Sequence, residues 1–356
     1  MSRFLSGKFQ AVEPYVPGEQ PQDQQYIKLN TNECPYPPSP KVMEAVSGEE
    51  VAKLRLYSDP EARLLVRAIA KRYGVGEDQV FVGNGSDEVL AFSFQAYGGP
   101  EHTIRFPALS YGFYPVFAQL FGVRSEAIPL REDFSIDPAD YIGCGRTIVL
   151  ANPNAPTGLA LSLDTMEKII SSNPDHIVLV DEAYVDFGGE SCVSLLSRHD
   201  NLLVVQTCSK SRALAGARLG FALGSPEVIA DLNRIKFSFN PYNLNRLTIL
   251  AGAAAMEDEA YFQSCTARIQ ATRTRVTEAL RAMGFTVLDS RANFVFVRPD
   301  GISGGDYYAA LRQRGVLVRH WNTPLIADWV RVTIGSEAEM DQFLIKTEEI
   351  LKEAAQ

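Results

Sequence analysis

The chain has 356 residues, 46% of them hydrophobic and 22% charged, the balance of a globular protein with more chain than one ordinary core needs. Its 34 basic residues against 43 acidic ones leave a formal charge of -9 with no run of Lys or Arg, which argues against nucleic acid and anionic membrane surfaces as partners. No segment approaches the roughly 18 uninterrupted apolar residues of a membrane span. The start MSRFLSGKFQ lacks an apolar signal core, and five scattered cysteines without a CxxC pair read as reduced thiols, so a cytoplasmic setting is expected. The four histidines are too dispersed for a metal site, and none is expected.

The first forty residues, with VEPYVPGEQPQDQQ and NECPYPPSP, favour extended and turn conformations and read as an arm laid over a body. From Pro60 the apolar spacing in PEARLLVRAIAKRYG predicts a helix that Gly74 closes. Short β-branched runs then alternate with helical stretches: VFVG before SDEVLAFSFQAYG, TIVLAN before LDTMEKIISS, then IVLVDEA, LLVVQTCS, and LGFALG before SPEVIADLNRIK. IVLV and LLVV are apolar throughout, as strands covered on both faces must be, and the alternation predicts a mainly parallel sheet between helices. A helical tract from about Leu244 past Met283, interrupted at Glu257 to Glu259, leads into a second unit. That unit comprises GFTVLDS, NFVFVRP, the helix DYYAALRQRG, the strands VLVRH and WVRVTIG, and a closing helix EAEMDQFLIKTEEILKEAA. The expected division is residues 45–255 as the large domain, and 1–44 with 256–356 as the arm and a small α+β domain.

Four segments carry chemistry. TCSKSRALAGARLG follows the buried strand LLVVQ, so Lys210 lies at the carboxyl edge of the sheet, where ligands bind in open α/β folds. Desolvation there lowers a lysine toward nucleophilic use, and Arg218 supplies a planar fork suited to phosphate. In IVLVDEAYVDF, Asp181 ends an apolar strand, where a carboxylate is costly unless it meets a cation; a protonated pyridine nitrogen is such a cation. Capping of the next turn is the ordinary alternative for Asp181. VGNGSDEVL sets Gly85, Ser86 and Asp87 at a strand-to-helix turn whose amides can face an anion. ANPNAPTG, residues 151–158, is a proline-stiffened loop in which Asn152 and Asn154 can offer amides to a ring oxygen. Taken singly, the last two are ordinary turns.

In this order, the PNxPTG-like loop, the DEAY strand end and the SKxxxLAGxRxG lysine motif resemble the fold-type I aminotransferases, and within them the histidinol-phosphate aminotransferase branch. The resemblance runs from YVPGEQP and KLNTNECPYPPSP to WVRVTIG. It implies a large domain built on a mostly parallel seven-stranded sheet, a smaller α+β domain, and pyridoxal 5'-phosphate as cofactor. Lys210 would hold that cofactor as a Schiff base and shuttle the proton, Asp181 would pair with the pyridine nitrogen, and Tyr184 would bond the 3-oxygen. Gly85, Ser86, Asp87, Thr207, Ser209 and Arg218 would hold the phosphate, and Tyr111 would stack on the ring. Tyr57 would reach the neighbouring subunit's cofactor, making the enzyme a homodimer, while Tyr15, Asn32, Arg319 and Arg331 would bind substrate. The implied reaction passes the amino group of L-histidinol phosphate to 2-oxoglutarate, giving imidazole-acetol phosphate and L-glutamate, a step of histidine biosynthesis. An aromatic amino acid aminotransferase and a threonine-phosphate decarboxylase share every one of these cofactor residues, and a cofactor-binding regulator without turnover is a further alternative. Three positions depart from the pattern: Ala155 where Asn precedes PTG, Cys34 in place of Asn, and Ser58 where Pro is common.

Overall fold

The computed structural model describes residues 2–10 and 12–354, so Ala355, the last residue expected for the closing helix, lies outside the described residues. Among the described residues thirteen strands follow in order: β1 Ile27–Lys28, β2 Val80–Asn84, β3 Ile104–Pro107, β4 Ser125–Ile128, β5 Thr147–Ala151, β6 Val178–Asp181, β7 Leu202–Thr207, β8 Leu219–Leu223, β9 Thr286–Val287, β10 Phe294–Arg298, β11 Val316–Leu317, β12 Arg319–His320 and β13 Val330–Thr333. Seven of them form one sheet in the order β2-β8-β7-β6-β5-β3-β4. The pairs β7–β6, β6–β5, β5–β3 and β3–β4 are parallel, whereas β8 runs antiparallel to both β7 and β2.

The apolar runs that predicted strands buried on both faces divide by parity. Ile148, Leu150, Val178, Val180, Leu202 and Val204 enter one core, and Val149, Leu179, Leu203 and Val205 enter another on the opposite face. A period of two turns alternate residues to opposite sides, so an unbroken apolar run is needed where helices cover both. The helix Arg63–Tyr73 covers the first face and ends at Gly74, whose φ of 68° fits the left-handed cap that only glycine adopts without strain.

Beyond the helices Arg246–Glu257 and Glu259–Ala282, a four-stranded antiparallel sheet β12-β13-β10-β9 packs with the helix Glu337–Ala354 around Val295, Val297, Val330, Val332 and Phe343. The arm does not stand apart from it. Ile27 pairs in parallel with Val316, and Leu29 is buried in the same core.

Buried Arg273, on the long helix Glu259–Ala282, links this part to the sheet edge by donating from Nη1 to the carbonyls of Phe187 and Ala292, both at 2.7 Å. Burial pulls its guanidinium down to about 10. An Arg273→Ala protein leaves two carbonyls without that donor, and a denaturant titration is expected to show a loss of about 3 kcal/mol.

Candidate active site

The carboxyl ends of β5, β6 and β7 open on one edge of the seven-stranded sheet, and the turn after β2 joins them because β2 shares their direction. A cavity of about 380 Å³ lies at this edge. Its walls include Ser86, Asp87, Tyr111, Asp181, Tyr184, Thr207, Ser209, Lys210 and Arg218, residues up to 132 positions apart brought together by strand order alone.

One end of the cavity is built for an anion. The helix Ser86–Tyr97 begins at Gly85 (φ 79°) with no side chain capping it, so its first amides are left to a ligand. A side chain at Gly85 would meet the Arg218 guanidinium, its Cβ only 2.5 Å from Nη2, and one at Gly220 would strike the Ser86 nitrogen at 2.2 Å. These two glycines permit the close approach of β8 to the helix start. Arg218 itself has φ 53° and donates to Asp87 Oδ2 at 3.2 Å. Asp87 also accepts from Tyr111 Oη at 2.6 Å, which fixes the tyrosine ring at the cavity wall. Thr207 donates to Ser209 Oγ at 3.0 Å, and among the described residues no acceptor takes the Ser209 hydroxyl proton.

The same cavity holds an acid. Asp181 is 4% exposed, accepts from Tyr114 Oη at 2.8 Å and from the Ala183 amide at 3.2 Å, and meets no cation among the described residues. Burial pushes its carboxyl up to about 6 despite the Tyr114 hydrogen bond. Lys210 reaches the cavity from the side, its Nζ donating to the Thr31 carbonyl at 3.0 Å. Burial draws its ammonium down to about 8, and the Arg331 charge acts in the same direction. A buried acid lacking a cation, an amine eased toward its neutral form and an uncapped helix start beside an arginine fit a flat, phosphate-bearing pyridine ring with an aldehyde.

Tyr184 accepts from Asn32 Nδ2 at 3.0 Å, which leaves its hydroxyl proton available to the cavity it lines. Asn152 and Asn154 stand elsewhere. Asn152 exchanges both side-chain bonds with the Leu161 backbone, while Asn154 donates to the Leu109 carbonyl and accepts from Ser110. Their amides brace the loop, so neither offers the ring-oxygen donor expected of it, and Ala155 lines the wall between them and the cavity. Tyr15 stacks on Phe113 at 4.4 Å and sits 6.2 Å from the Tyr111 ring. Arg331 and Arg319 face each other across β12 and β13, with Arg331 bonded to the Asn30 carbonyl and Arg319 to the carbonyls of Val16 and Pro17. Tyr57 is 81% exposed, stacks on Tyr242 and lies outside this cavity. Sequence reasoning passed over Tyr114, which lies on the helix Phe113–Phe121, and Thr31 and Glu33, for which a backbone contact and a wall position leave no signature.

A doubly covered, mainly parallel sheet with this lysine, carboxylate and phosphate cradle at its edge defines the fold-type I class of pyridoxal-phosphate enzymes. The pattern of the family "Aminotransferase class I and II" matches residues 24–346. The chain belongs to that family. It is 49% identical over 351 residues to a histidinol-phosphate aminotransferase of Clostridium acetobutylicum, covering 99% of this chain and 100% of that protein. It is 52% identical over 345 residues to histidinol-phosphate aminotransferase 2 of Dechloromonas aromatica, covering 95% and 96%. The solved histidinol-phosphate aminotransferase of Sinorhizobium meliloti, in complex with pyridoxal-5'-phosphate, superposes with a TM-score of 0.89 over 99% of each chain at 22% identity, a likeness of fold.

Between 3.8 and about 6 the folded Asp181 keeps a proton that the unfolded chain has released, so the stability of cofactor-free protein falls as pH rises through that window. Asp181→Asn removes this fall. Thermal or denaturant unfolding of the cofactor-free variant is expected to show a gain of about 1–2 kcal/mol above pH 6, with cofactor retention sharply reduced.

Proposed function

We propose that the chain transfers the amino group of L-histidinol phosphate to 2-oxoglutarate, yielding imidazole-acetol phosphate and L-glutamate in histidine biosynthesis. The observation that carries this reading is 49% identity over 351 residues to a histidinol-phosphate aminotransferase, a match that covers 99% of this chain and 100% of that protein. Residues 45–255 act as the cofactor-holding unit, and 1–44 with 256–356 as the unit that brings the substrate-binding arm and arginines.

Bound pyridoxal phosphate supplies an aldehyde that condenses with amines and a ring that withdraws electrons from bonds at the substrate Cα. Lys210 Nζ would hold that aldehyde and would carry the proton removed from the substrate Cα. Its neutral form is accessible near neutral pH because burial disfavours the ammonium. Asp181 would keep the ring nitrogen protonated, and its own desolvation would make that pairing favourable, since it meets no cation among the described residues. Tyr184 would donate its hydroxyl to the ring's 3-oxygen. Ser86, Asp87, Thr207, Ser209 and Arg218 hold the phosphate, and Tyr111, fastened by Asp87, covers one face of the ring. Arg331, with Tyr15 and Asn32, orients the substrate, and Arg319 closes over it from the strand beside.

The active form is a homodimer in which exposed Tyr57 reaches the partner's cofactor phosphate. Val51, Leu54, Leu56 and Tyr242 expose an apolar face around it that supports this assembly. Among the described residues no helix is long and apolar enough to cross a membrane, and the five cysteines are free, which supports work in the reducing cytoplasm.

Lys210→Ala is expected to abolish borohydride trapping of the cofactor and to lower transamination by at least about 10³-fold. In a substrate panel, turnover of histidinol phosphate is expected to exceed that of phenylalanine and threonine phosphate; negligible turnover of the first rules out the substrate assignment. Sedimentation is expected to give twice the chain mass, and Tyr57→Ala to hasten cofactor loss about tenfold without dissociating the dimer.

A further inference from the structure

Lys210 and Asp181 come from different strands, and the chemistry requires them to address two parts of one rigid ring. The lysine turn after β7 is closed on itself by the Leu214 amide, which donates to the Cys208 carbonyl at 3.0 Å. Ala213 within it has φ 56°, a left-handed conformation that a residue with a Cβ holds only when its surroundings impose it. Two side chains at the apex tie this turn to the rest of the protein. Arg212 donates to the Ala255 carbonyl at 2.6 Å, which fastens the turn to the helix Arg246–Glu257. Ser211, 4% exposed and adjacent to Lys210, donates to Asp186 Oδ2 at 2.5 Å.

Asp186 is placed to matter. It lies in the 3-10 turn Val185–Phe187, five residues after Asp181 and two after Tyr184, so the same short segment carries the groups that meet the ring nitrogen and the ring oxygen. The next residue, Phe187, is fully buried and its carbonyl is held by Arg273. The Ser211–Asp186 bond therefore joins the lysine turn to a segment that cannot easily shift. The charges facing the Asp186 carboxylate are those of Arg212, Arg72 and Glu259. Arg72 is held 2.7 Å from Glu259, so the nearest donor to Asp186 is a hydroxyl and its contribution is directional.

We propose that Asp186 is a positioning residue for Lys210: through the Ser211 hydroxyl it fixes the lysine turn against the segment bearing Asp181 and Tyr184, so that all three meet one cofactor ring in register. The inference rests on Lys210 being the lysine that carries the cofactor. Borohydride trapping and peptide mapping of the unaltered protein test that assignment separately.

The test compares Ser211→Ala, Asp186→Ala, the pair together and Asp186→Asn, all prepared as loaded protein. Three quantities are read: cofactor release after gel filtration, the pH titration of the visible absorbance of the bound cofactor, and the unfolding midpoint. Ser211→Ala and Asp186→Ala are each expected to speed cofactor release about tenfold and to displace the absorbance titration in the same direction, with the pair no worse than either alone. Asp186→Asn retains an acceptor for Ser211 and is expected to stay within about twofold of the unaltered protein in both. If Asp186→Ala does not fold, Ser211→Ala and Asp186→Asn decide the matter in the same terms. The proposal is overturned if Ser211→Ala keeps the original release rate and titration, if the two single effects simply add, or if Asp186→Asn is impaired like Asp186→Ala.

Discussion

A buried carboxylate in a cavity wall, with a tyrosine hydroxyl and one amide for company and no cation among the described residues, is the constraint around which this protein is arranged. Asp181 is costly where it stands, because an ionised group in a buried place lacks the water that would pay for its charge. The cost is recovered only when a cation enters. The surrounding sheet must be robust enough to carry that cost. The two cores on the faces of the seven-stranded sheet, closed to solvent along β5, β6 and β7, supply that reserve.

The rest of the site follows from where strands end. Parallel neighbours deliver their carboxyl ends to one edge, so Asp181, Thr207 and the Asn152 loop emerge side by side from segments distant in the chain. Each emerging group is then held by a second residue. Tyr114 holds Asp181, Asn32 holds Tyr184, Asp87 holds both Tyr111 and Arg218, and the Thr31 carbonyl receives Lys210. Thr31 and Asn32 belong to the arm, which pairs with β11 and whose Leu29 carbonyl accepts from the Thr333 amide of β13, so the cavity is tied to the C-terminal sheet.

Much of this was legible before the structure. The buried strands, the helix closed by Gly74 and the break between the helices at Glu257 to Glu259 all announce themselves by periodicity and capping, and the structure has them in those places. The strands β3 and β4 and the helix Phe113–Phe121 escaped the reading. IRFP is four residues long, and SEAI carries polar residues because β4 is an edge strand with partly exposed positions. The site divides in the same way. Lys210, Asp181 and Arg218 lie beside strand ends whose pattern is strong, so their convergence could be anticipated. The turning of Asn152 and Asn154 into their own loop could not, because whether an amide faces a cavity or a neighbouring carbonyl depends on a backbone path that composition does not encode. The same holds for VLVRH, read as one strand but divided between β11 and β12, which pair with different sheets.

The reversed direction of β8 has a consequence for how this protein can vary. A strand running with its neighbours would give its last residues to the active edge; β8, entering from that edge, gives its first. Lys210 and Arg218 thus sit on a single connection, Cys208 to Arg218, whose two feet are anchored in adjacent strands. Spacing along that bridge consequently sets how far apart Lys210 and Arg218 stand at the cavity. An added or deleted residue in it would move Lys210 and Arg218 together relative to the two strands.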